Sequence, residues 1–427
     1  MLREAVAAAA LLLLSAAVFN KVGPVQGEAP ACNQTELPCN NATCRCSSTD
    51  VPGGFELKNT PQFVVLSFDD AVTVSNFPFY EKLSKNVNPN GCEIKMTFFV
   101  CHESLDYTLV HKLYRMGHEI STHSVSHKSD VVNYWRNMTK EMWTNEITDM
   151  KTMLINYGKI PADEIVGFRV PFLEVGGNLM YEVLLENGFK YDCSWPSLKY
   201  TPWYTEFGGE PLGTLWPYTL DYMSIQDQTV GTKPTDSFPN MWVNPMTDMQ
   251  DNRGVECPML DQCVSAEDEL ETSAEAVLDL LRRNFNTHFY GDRAPFGLYT
   301  HHSWFLTDTL NNVTVRHDGF QMFLDYLKSF PQVYIVNVHQ LIQWVQNPVD
   351  VANIAEFGPL QCGNMLPDMC AEADNINCVY NESLPIDQSQ VYMKICEGPC
   401  PAAYPWTGNP DGVKGMANFT PEKIRKI

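Results

Sequence analysis

Carboxylates and imidazoles stand where the sequence predicts the ends of β-strands. Asp69 and Asp70 close an apolar run at residues 63–68, and His123 ends a second predicted strand, with His127 four residues later. The H-x3-H spacing can place two imidazoles on one helical face, where both reach one metal ion. A carboxylate and two imidazoles that leave one position open form a catalytic rather than a structural zinc site. We therefore predict that Asp70, His123 and His127 bind a divalent cation; the alternative is a pair of exposed histidines in a turn.

Asp69 is the carboxylate that this ligand set leaves unused. Arg169 lies at the end of another predicted strand, residues 165–170, and an arginine beside a carboxylate keeps the carboxylate ionised. We predict that Asp69 is a general base that takes a proton from water. The alternatives are a solvated turn for the paired aspartates and an ordinary salt bridge for the arginine.

The penultimate predicted strand, at residues 295–301, ends in His301, and His302 follows it directly. A histidine in the position of His301 is suited to protonate a leaving amine near neutral pH, and Asp192 is predicted to hold its other ring nitrogen. Asp192 and Trp195 belong to the predicted strand at residues 190–195. The alternatives are exposed loop imidazoles for the histidine pair, and a buried turn aspartate and a core tryptophan for the other strand.

These residues need a scaffold that brings the ends of several strands together. Short apolar runs alternate with segments of helical apolar spacing over residues 61–346, which predicts a parallel sheet with helices outside. Catalytic residues gather at the carboxyl ends of such strands. A closed barrel and an open doubly wound sheet give the same pattern, so periodicity leaves both open. No G-x-G-x-x-G or G-x-x-x-x-G-K-[ST] follows a strand, so dinucleotide and P-loop sites lack their phosphate-binding glycines.

Two features interrupt this alternation. A polar, proline-containing insertion at about residues 224–262 is predicted to be a long loop that shapes a substrate groove. Ser265 with Asp268 resembles a capping box and is predicted to begin the strongest helix, which runs to about His288.

The chain begins like a secreted protein. A weakly positive start precedes an apolar core at residues 5–19, the pattern of a signal peptide cleaved before Glu28 or after Ala17. An uncleaved anchor is the alternative, but the core is short for a span of about 20 residues. The 14 cysteines, an even number concentrated near both ends, indicate disulfides formed in an oxidising compartment. N-glycosylation sequons fit the same compartment; they lie at Asn33, Asn41, Asn137, Asn312, Asn381 and Asn418.

Length and charge exclude several classes of protein. The chain has 427 residues, 44% of them hydrophobic and 19% charged, and a formal net charge of −22. Such a chain buries a large core. Its negative charge argues against nucleic acid and anionic membranes as partners, and only the leader is apolar enough to approach a membrane. We divide the chain into a signal peptide (1–27), a Cys-rich segment (28–60), a catalytic domain (61–346) and a Cys-rich extension (347–427).

Five short motifs occur in order along the predicted catalytic domain. They are SFDD at 67–70, HSVSH at 123–127, RVPF at 169–172, DCSW at 192–195 and LYTH at 298–301. In this order they resemble the motifs of carbohydrate esterase family 4, the NodB-like polysaccharide deacetylases, and longer stretches around them are similar to arthropod-type chitin deacetylases. The resemblance implies an α/β fold, a distorted (β/α)7 barrel, here with disulfide-rich N- and C-terminal extensions.

The resemblance also implies the acid and base of the reaction. Asp69 corresponds to the catalytic base, and Arg169 orients it. His301 corresponds to the catalytic acid, and Asp192 tunes it. Since His302 follows directly, the doubled histidine leaves a choice, which the L-x-x-H pattern decides in favour of His301.

The remaining site residues concern the metal and the substrate. The resemblance implies that Asp70, His123 and His127 are zinc ligands, although such sites also accept cobalt and other divalent ions. It implies that the backbone N–H of Phe172 helps hold the oxyanion. Phe172 and Trp195 are predicted to contact the substrate.

The activity implied is removal of the N-acetyl group from N-acetylglucosamine units of chitin or chitooligosaccharides, giving chitosan and acetate. We expect a secreted monomer. A six-cysteine chitin-binding module is missing, and relatives without one tend to belong to the gut, which implies the gut lumen or peritrophic matrix. The alternatives are a chitin-matrix protein that keeps the fold without turnover, and a deacetylase of another polysaccharide such as peptidoglycan.

Overall fold

The computed structural model describes residues 26–33, 39–227, 230–264, 269–306, 315–371, 375–381 and 384–414. The strands are β1 (Gln26–Glu28), β2 (Gln62–Asp69), β3 (Thr97–Val100), β4 (Glu119–Thr122), β5 (Gly167–Phe168), β6 (Val175–Gly176), β7 (Tyr191–Asp192), β8 (Pro196–Ser197), β9 (Tyr218–Leu220), β10 (Gly231–Thr232), β11 (Asp236–Val243), β12 (Met246–Thr247), β13 (Met249–Gln250), β14 (Glu256–Cys257), β15 (Phe296–His301), β16 (Val333–Val336), β17 (Ile376–Tyr380) and β18 (Val391–Ile395). The helices are α1 (Phe77–Leu83), α2 (Tyr107–Arg115), α3 (Lys140–Gly158), α4 (Gly177–Glu186), α5 (Glu269–Thr272), α6 (Ala274–Tyr290), α7 (Val315–Leu327) and α8 (Val338–Gln346).

A parallel sheet forms the centre of the fold and confirms the predicted α/β class. The strand order is β1-β11-β7-β5-β4-β3-β2-β15, with β16 beside the start of β2 and β9 beside β11. All eight residues of β2 are buried, because helices cover the faces of a parallel sheet. Its end lies in register with β15, where Asp69 pairs with His301. The carboxyl ends of the strands therefore meet on one edge.

The two ends of this sheet approach each other through side chains. Among the strands that the structure describes, no backbone ladder joins β15 to β9 or β11. Instead, the Asn244 side-chain amide, just after β11, donates to the Tyr299 hydroxyl on β15 at 3.1 Å, and that hydroxyl lies 3.3 Å from the carbonyl oxygen of Pro245. The parallel sheet is therefore present, and side chains make the contact between its two ends.

The insertion at residues 224–262 is not a loop throughout, so that part of the prediction is wrong. It contains β11, which pairs in parallel with β7 through Trp242 and Tyr191 and antiparallel with β1 and β9. Pro239 lies inside the strand, and Asn240 next to it has a φ of 62°. These two residues shift the strand register and break the alternation of polar and apolar residues that would have indicated a strand.

The strongest predicted helix is present but divided. Ser265 and Asp268, its predicted capping box, lie outside the described residues. The long helix α6 begins after Ser273, whose Oγ accepts from the backbone N–H of Ala276 at 3.1 Å and so caps this helix. The helix extends to Tyr290, close to the predicted end.

Disulfides brace both ends of the chain, as the cysteine distribution predicts. The pairs are Cys32–Cys46, Cys39–Cys44, Cys92–Cys362, Cys257–Cys263, Cys370–Cys396 and Cys378–Cys400. Cys101 and Cys193 are free and buried. The apolar core of the leader lies outside the described residues, and none of the helices within them is long and apolar enough to cross a membrane.

Candidate metal centre and active site

Three predicted ligands come together at the carboxyl edge of the sheet. One side-chain ligand atom from each of Asp70, His123 and His127 lies within 4.8 Å of the other two. His127 Nε2 is 3.7 Å from Asp70 Oδ1. Nδ1 of His123 lies 2.7 Å from the carbonyl oxygen of Arg169, and a carbonyl only accepts, so Nδ1 carries the proton and Nε2 keeps a free lone pair. A carboxylate and imidazoles oriented in this way fit a divalent cation.

The two histidines reach this cluster through a turn, not along one face of a helix. The residues between them are neither helical nor extended, and Ser124 and His127 have φ values of 75° and 41°. The H-x3-H spacing therefore predicts the contact but not the backbone that makes it. Residues 123–125 of the turn are buried, whereas Ser126 and His127 are partly exposed, so the cluster stays accessible on the side of His127.

Asp69 and Arg169 form a buried ion pair beside the cluster. Arg169 Nη1 donates to Asp69 Oδ1 at 2.6 Å and to Ser67 Oγ at 2.9 Å. The guanidinium is fully buried, and its carbon lies over the rings of Phe99 and Tyr299 at 4.1 and 4.9 Å. Asp69 Oδ2, the oxygen that Arg169 leaves free, is 4.0 Å from His123 Nε2. The pair thus turns one carboxylate oxygen toward the metal ligands.

Cys193 completes the surroundings of this arginine. Its carbonyl oxygen accepts from Arg169 Nε at 2.8 Å, and its sulfur accepts from Nη2 at 3.0 Å. Burial raises the pKa of the Cys193 thiol, so the sulfur is neutral. Burial disfavours the charged arginine, but Asp69 and Cys193 outweigh this effect and raise the pKa of Arg169. The guanidinium stays charged and fixed in position.

His301 lies on the opposite side of Asp70 and is held by a residue that the sequence did not indicate. Its Nδ1 is 2.9 Å from Asp261 Oδ2, and its Nε2 is 3.9 Å from Asp70 Oδ2. Burial lowers the pKa of His301, but the Asp261 hydrogen bond and the charges of Asp69, Asp261 and Asp70 raise it to about 9. These carboxylates therefore favour the imidazolium form, and Nε2 faces Asp70.

Asp192 does not hold His301, which corrects the prediction. Asp192 Oδ2 accepts from the Tyr181 hydroxyl at 2.7 Å, and Oδ1 accepts from Ser194 Oγ. Ser194 Oγ in turn accepts from the backbone N–H of Val170 at 2.9 Å. Burial raises the pKa of Asp192 to about 6. Through Ser194, Asp192 therefore supports the backbone next to Arg169. Its hydrogen-bond partners all lie inside the core.

The signal that could have revealed Asp261 is a pair of cysteines. Cys257 and Cys263 form a disulfide with a sequence separation of 6, and Asp261 lies between them on a short 3-10 turn at Leu260–Gln262. A tight loop inside a polar insertion is a way to present one side chain rigidly. The carboxylate was overlooked because it belongs to none of the five motifs.

The structure also separates His301 from its neighbour. His302 is buried among aromatic rings, 5.3 Å from the Phe79 ring and 5.8 Å from the Tyr80 ring, measured between centroids. Burial, followed by the nearby His317, lowers the pKa of His302 to about 4. His302 is thus a neutral core residue, and His301 is the histidine at the site.

The two predicted substrate contacts differ in exposure. The Phe172 side chain is 43% exposed, and its ring centroid is 4.9 Å from that of His127, so Phe172 borders the metal ligands. Trp195 is 1% exposed, and its Nε1 donates to the Tyr181 hydroxyl at 2.5 Å. The prediction that Trp195 contacts substrate is wrong, because its indole is part of the core.

Comparison with known proteins supplies the class to which this fold and site belong. A family model described as polysaccharide deacetylase matches residues 56–191. That segment carries β2 through β6 and the first residue of β7, with the metal-ligand cluster and the buried Asp69–Arg169 pair.

Two silkworm proteins match over most of the chain. Chitin deacetylase 8 of Bombyx mori is 37% identical over 404 residues, which cover 94% of this chain and 97% of that protein. Chitin deacetylase 1 of Bombyx mori is 30% identical over 401 residues, covering 90% of this chain and 69% of that protein. The chain belongs to the polysaccharide deacetylase family. Among solved structures, a probable polysaccharide deacetylase of Pseudomonas aeruginosa matches with a TM-score of 0.42 and 13% identity, covering 70% of this chain and 95% of that chain.

Proposed function

We propose that this protein is a metal-dependent chitin deacetylase, which hydrolyses the N-acetyl group of N-acetylglucosamine units in chitin or chitooligosaccharides. The observation that carries the proposal is the ligand cluster of Asp70, His123 and His127, with all three ligand atoms within 4.8 Å, beside the buried Asp69–Arg169 pair. The similarity to proteins named chitin deacetylase over most of their length supports the choice of substrate.

Asp70, His123 and His127 are the residues that would hold the metal, which we propose to be zinc. Bound there, a divalent cation supplies Lewis-acid activation of water and of the acetamide carbonyl. His123 is prepared for this role by its Nδ1–H, which donates to the carbonyl oxygen of Arg169 and leaves Nε2 as the ligand atom.

Asp69 is the general base in this proposal. Arg169 occupies Oδ1, so Oδ2 is the atom that accepts the proton as the water oxygen forms its bond to the acetamide carbon. The backbone N–H of Phe172 is proposed to donate to the developing oxyanion. Support for this comes from the position of Phe172 next to His127.

His301 is the general acid. As the carbon–nitrogen bond breaks, Nε2 gives its proton to the leaving amine, which departs as the free 2-amino group of glucosamine, while the acyl group leaves as acetate. Asp261 accepts from Nδ1–H and stabilises the imidazolium form until the proton is transferred. Asp261 thereby takes the positioning role that the sequence predicts for Asp192.

We further propose that the chain is a secreted monomer, with residues 28–60 and 347–427 as extensions of a catalytic domain at 61–346. The six disulfides of the described residues support an oxidising compartment. The gut lumen or peritrophic matrix is the location that we propose.

Acetate release from chitooligosaccharides of defined length tests the proposal. The wild-type protein is expected to release acetate, to lose this activity to a chelator and to regain it with zinc. Peptidoglycan fragments serve as the competing substrate. A protein that binds chitin but releases no acetate with any metal is the turnover-free matrix protein, and faster release from peptidoglycan would reassign the substrate.

A further inference from the structure

The turn between the two histidine ligands has a backbone that its own residues do not favour. Ser124 and His127 both adopt left-handed conformations, with φ values of 75° and 41°, which residues other than glycine seldom occupy. Such conformations persist when surrounding contacts determine them. Something outside the turn must therefore hold it.

A buried carboxylate on α3 makes that contact. Glu146 is 0% exposed. Its Oε2 accepts from the backbone N–H groups of Val125 and Ser126, each at 2.9 Å. Its Oε1 accepts from Ser126 Oγ at 2.5 Å and from the Tyr134 hydroxyl at 2.6 Å. All four donors are neutral groups of one stretch of chain, residues 125–134, and together they use both oxygens of the carboxylate.

These hydrogen bonds connect α3 to the turn that carries the metal ligand His127. Val125 and Ser126 are the two residues directly before His127, and the backbone N–H of His127 itself donates to Ser124 Oγ at 3.1 Å. Fixing the N–H groups of Val125 and Ser126 therefore fixes the point from which the His127 side chain leaves the backbone. Within the described residues, Glu146 makes its hydrogen bonds to Val125, Ser126 and Tyr134 and none to Asp70, His123 or His127.

We propose that Glu146 is a positioning residue for the metal centre: it holds the turn so that His127 reaches the ion shared with Asp70 and His123. This inference rests on the proposed function, because it presupposes that these residues bind a metal. Partners that orient a ligand from outside are typically worth 10- to 100-fold in metal affinity.

The test measures zinc affinity in the full-length chain, by competition with a chromophoric chelator after the metal has been stripped. Glu146→Ala removes all four hydrogen bonds. Glu146→Gln keeps the side-chain volume but replaces one carboxylate oxygen by an NH2 group, which donates instead of accepting. Asp149→Asn is the matched control: Asp149 is buried on the same helix, but its Oδ2 accepts from the backbone N–H of Gly408 at 2.6 Å, away from the turn. Circular dichroism confirms that each variant is folded.

We expect Glu146→Ala to weaken zinc binding about 10- to 100-fold, Glu146→Gln to weaken it less, and the control to stay within about twofold. Should Glu146→Ala fail to fold, Ser126→Ala and Tyr134→Phe each remove one donor, and we expect a several-fold loss from each. Folded Glu146 variants, or both donor variants, with wild-type zinc affinity would overturn the inference. A wild-type protein without zinc affinity would overturn the proposed metal centre as well, so the two failures are distinguishable.

Discussion

Asp261 Oδ2 lies 2.9 Å from His301 Nδ1, although the two residues are 40 positions apart in the chain. The contact leaves Nε2 of the imidazole 3.9 Å from Asp70, on the side where the metal ligands meet. A carboxylate on a small disulfide loop thus determines which nitrogen of His301 faces the reaction and favours the protonated form.

Replacing Asp261 by asparagine should lower kcat about 10- to 100-fold, the range found when partners that orient a functional group are removed. The Asp261 charge helps raise the pKa of His301 to about 9, so its loss lowers that pKa. A general acid must be protonated to act, and the alkaline limb of the kcat/KM profile should therefore move to lower pH. Asp192→Asn is the comparison, and an equal shift of that limb in Asp192→Asn would contradict the assignment.

Opening the disulfide between Cys257 and Cys263 should act through the same carboxylate. In the Cys257→Ser/Cys263→Ser double variant the loop that presents Asp261 is no longer closed, so we expect kcat to fall about tenfold with little change in zinc affinity. Steady-state kinetics and metal titration on the same preparation check this. Wild-type kcat in the double variant would show that the loop holds Asp261 without its disulfide.

Removing only one partner of the buried Asp69–Arg169 ion pair should lower the free energy of unfolding. Arg169→Met leaves the Asp69 carboxylate without its cation in a dry environment, and we expect a loss of about 3–5 kcal/mol in the free energy of unfolding. Urea denaturation measures it. Combining the change with Asp69→Asn should restore part of the loss, because the uncompensated charge is then absent. Additive losses in the double variant would argue against coupling of the two residues.

Asp149 should make stability depend on pH. Burial, partly offset by the Gly408 N–H, raises the pKa of its carboxyl to about 7, above the value of about 4 in the unfolded chain. Folding therefore favours the protonated form, and this contribution is complete below pH 4 and is lost as pH rises through 7. Asp149→Asn should lessen the fall in melting temperature between pH 5 and pH 8. An unchanged fall would mean that Asp149 is ionised in the fold at pH 5.

The strand ends that carry Asp69, Asp70 and His301 could be predicted because each follows a short apolar run, and His123 ends the short strand predicted at residues 118–123. Parallel strands bring their carboxyl ends to one edge, so these residues had to lie near one another. The left-handed turn before His127 could not be predicted from the spacing, since it depends on a carboxylate from another helix.

Asp261 and β11 were missed for a shared reason. Both belong to the polar insertion, where Pro239 and Asn240 hide the strand and a tertiary contact across 40 positions gives the aspartate its role. Trp195 was misassigned because a tryptophan at a strand end is compatible with both a groove and a core. Only the packing around Tyr181 decides between them.

Zinc titration of the wild-type chain and of Asp70→Ala, followed by isothermal calorimetry, tests the central claim most directly. The account predicts one ion per wild-type chain and a loss of about 100-fold or more in affinity when Asp70 is removed. Equal zinc affinity and stoichiometry in the two proteins would contradict it.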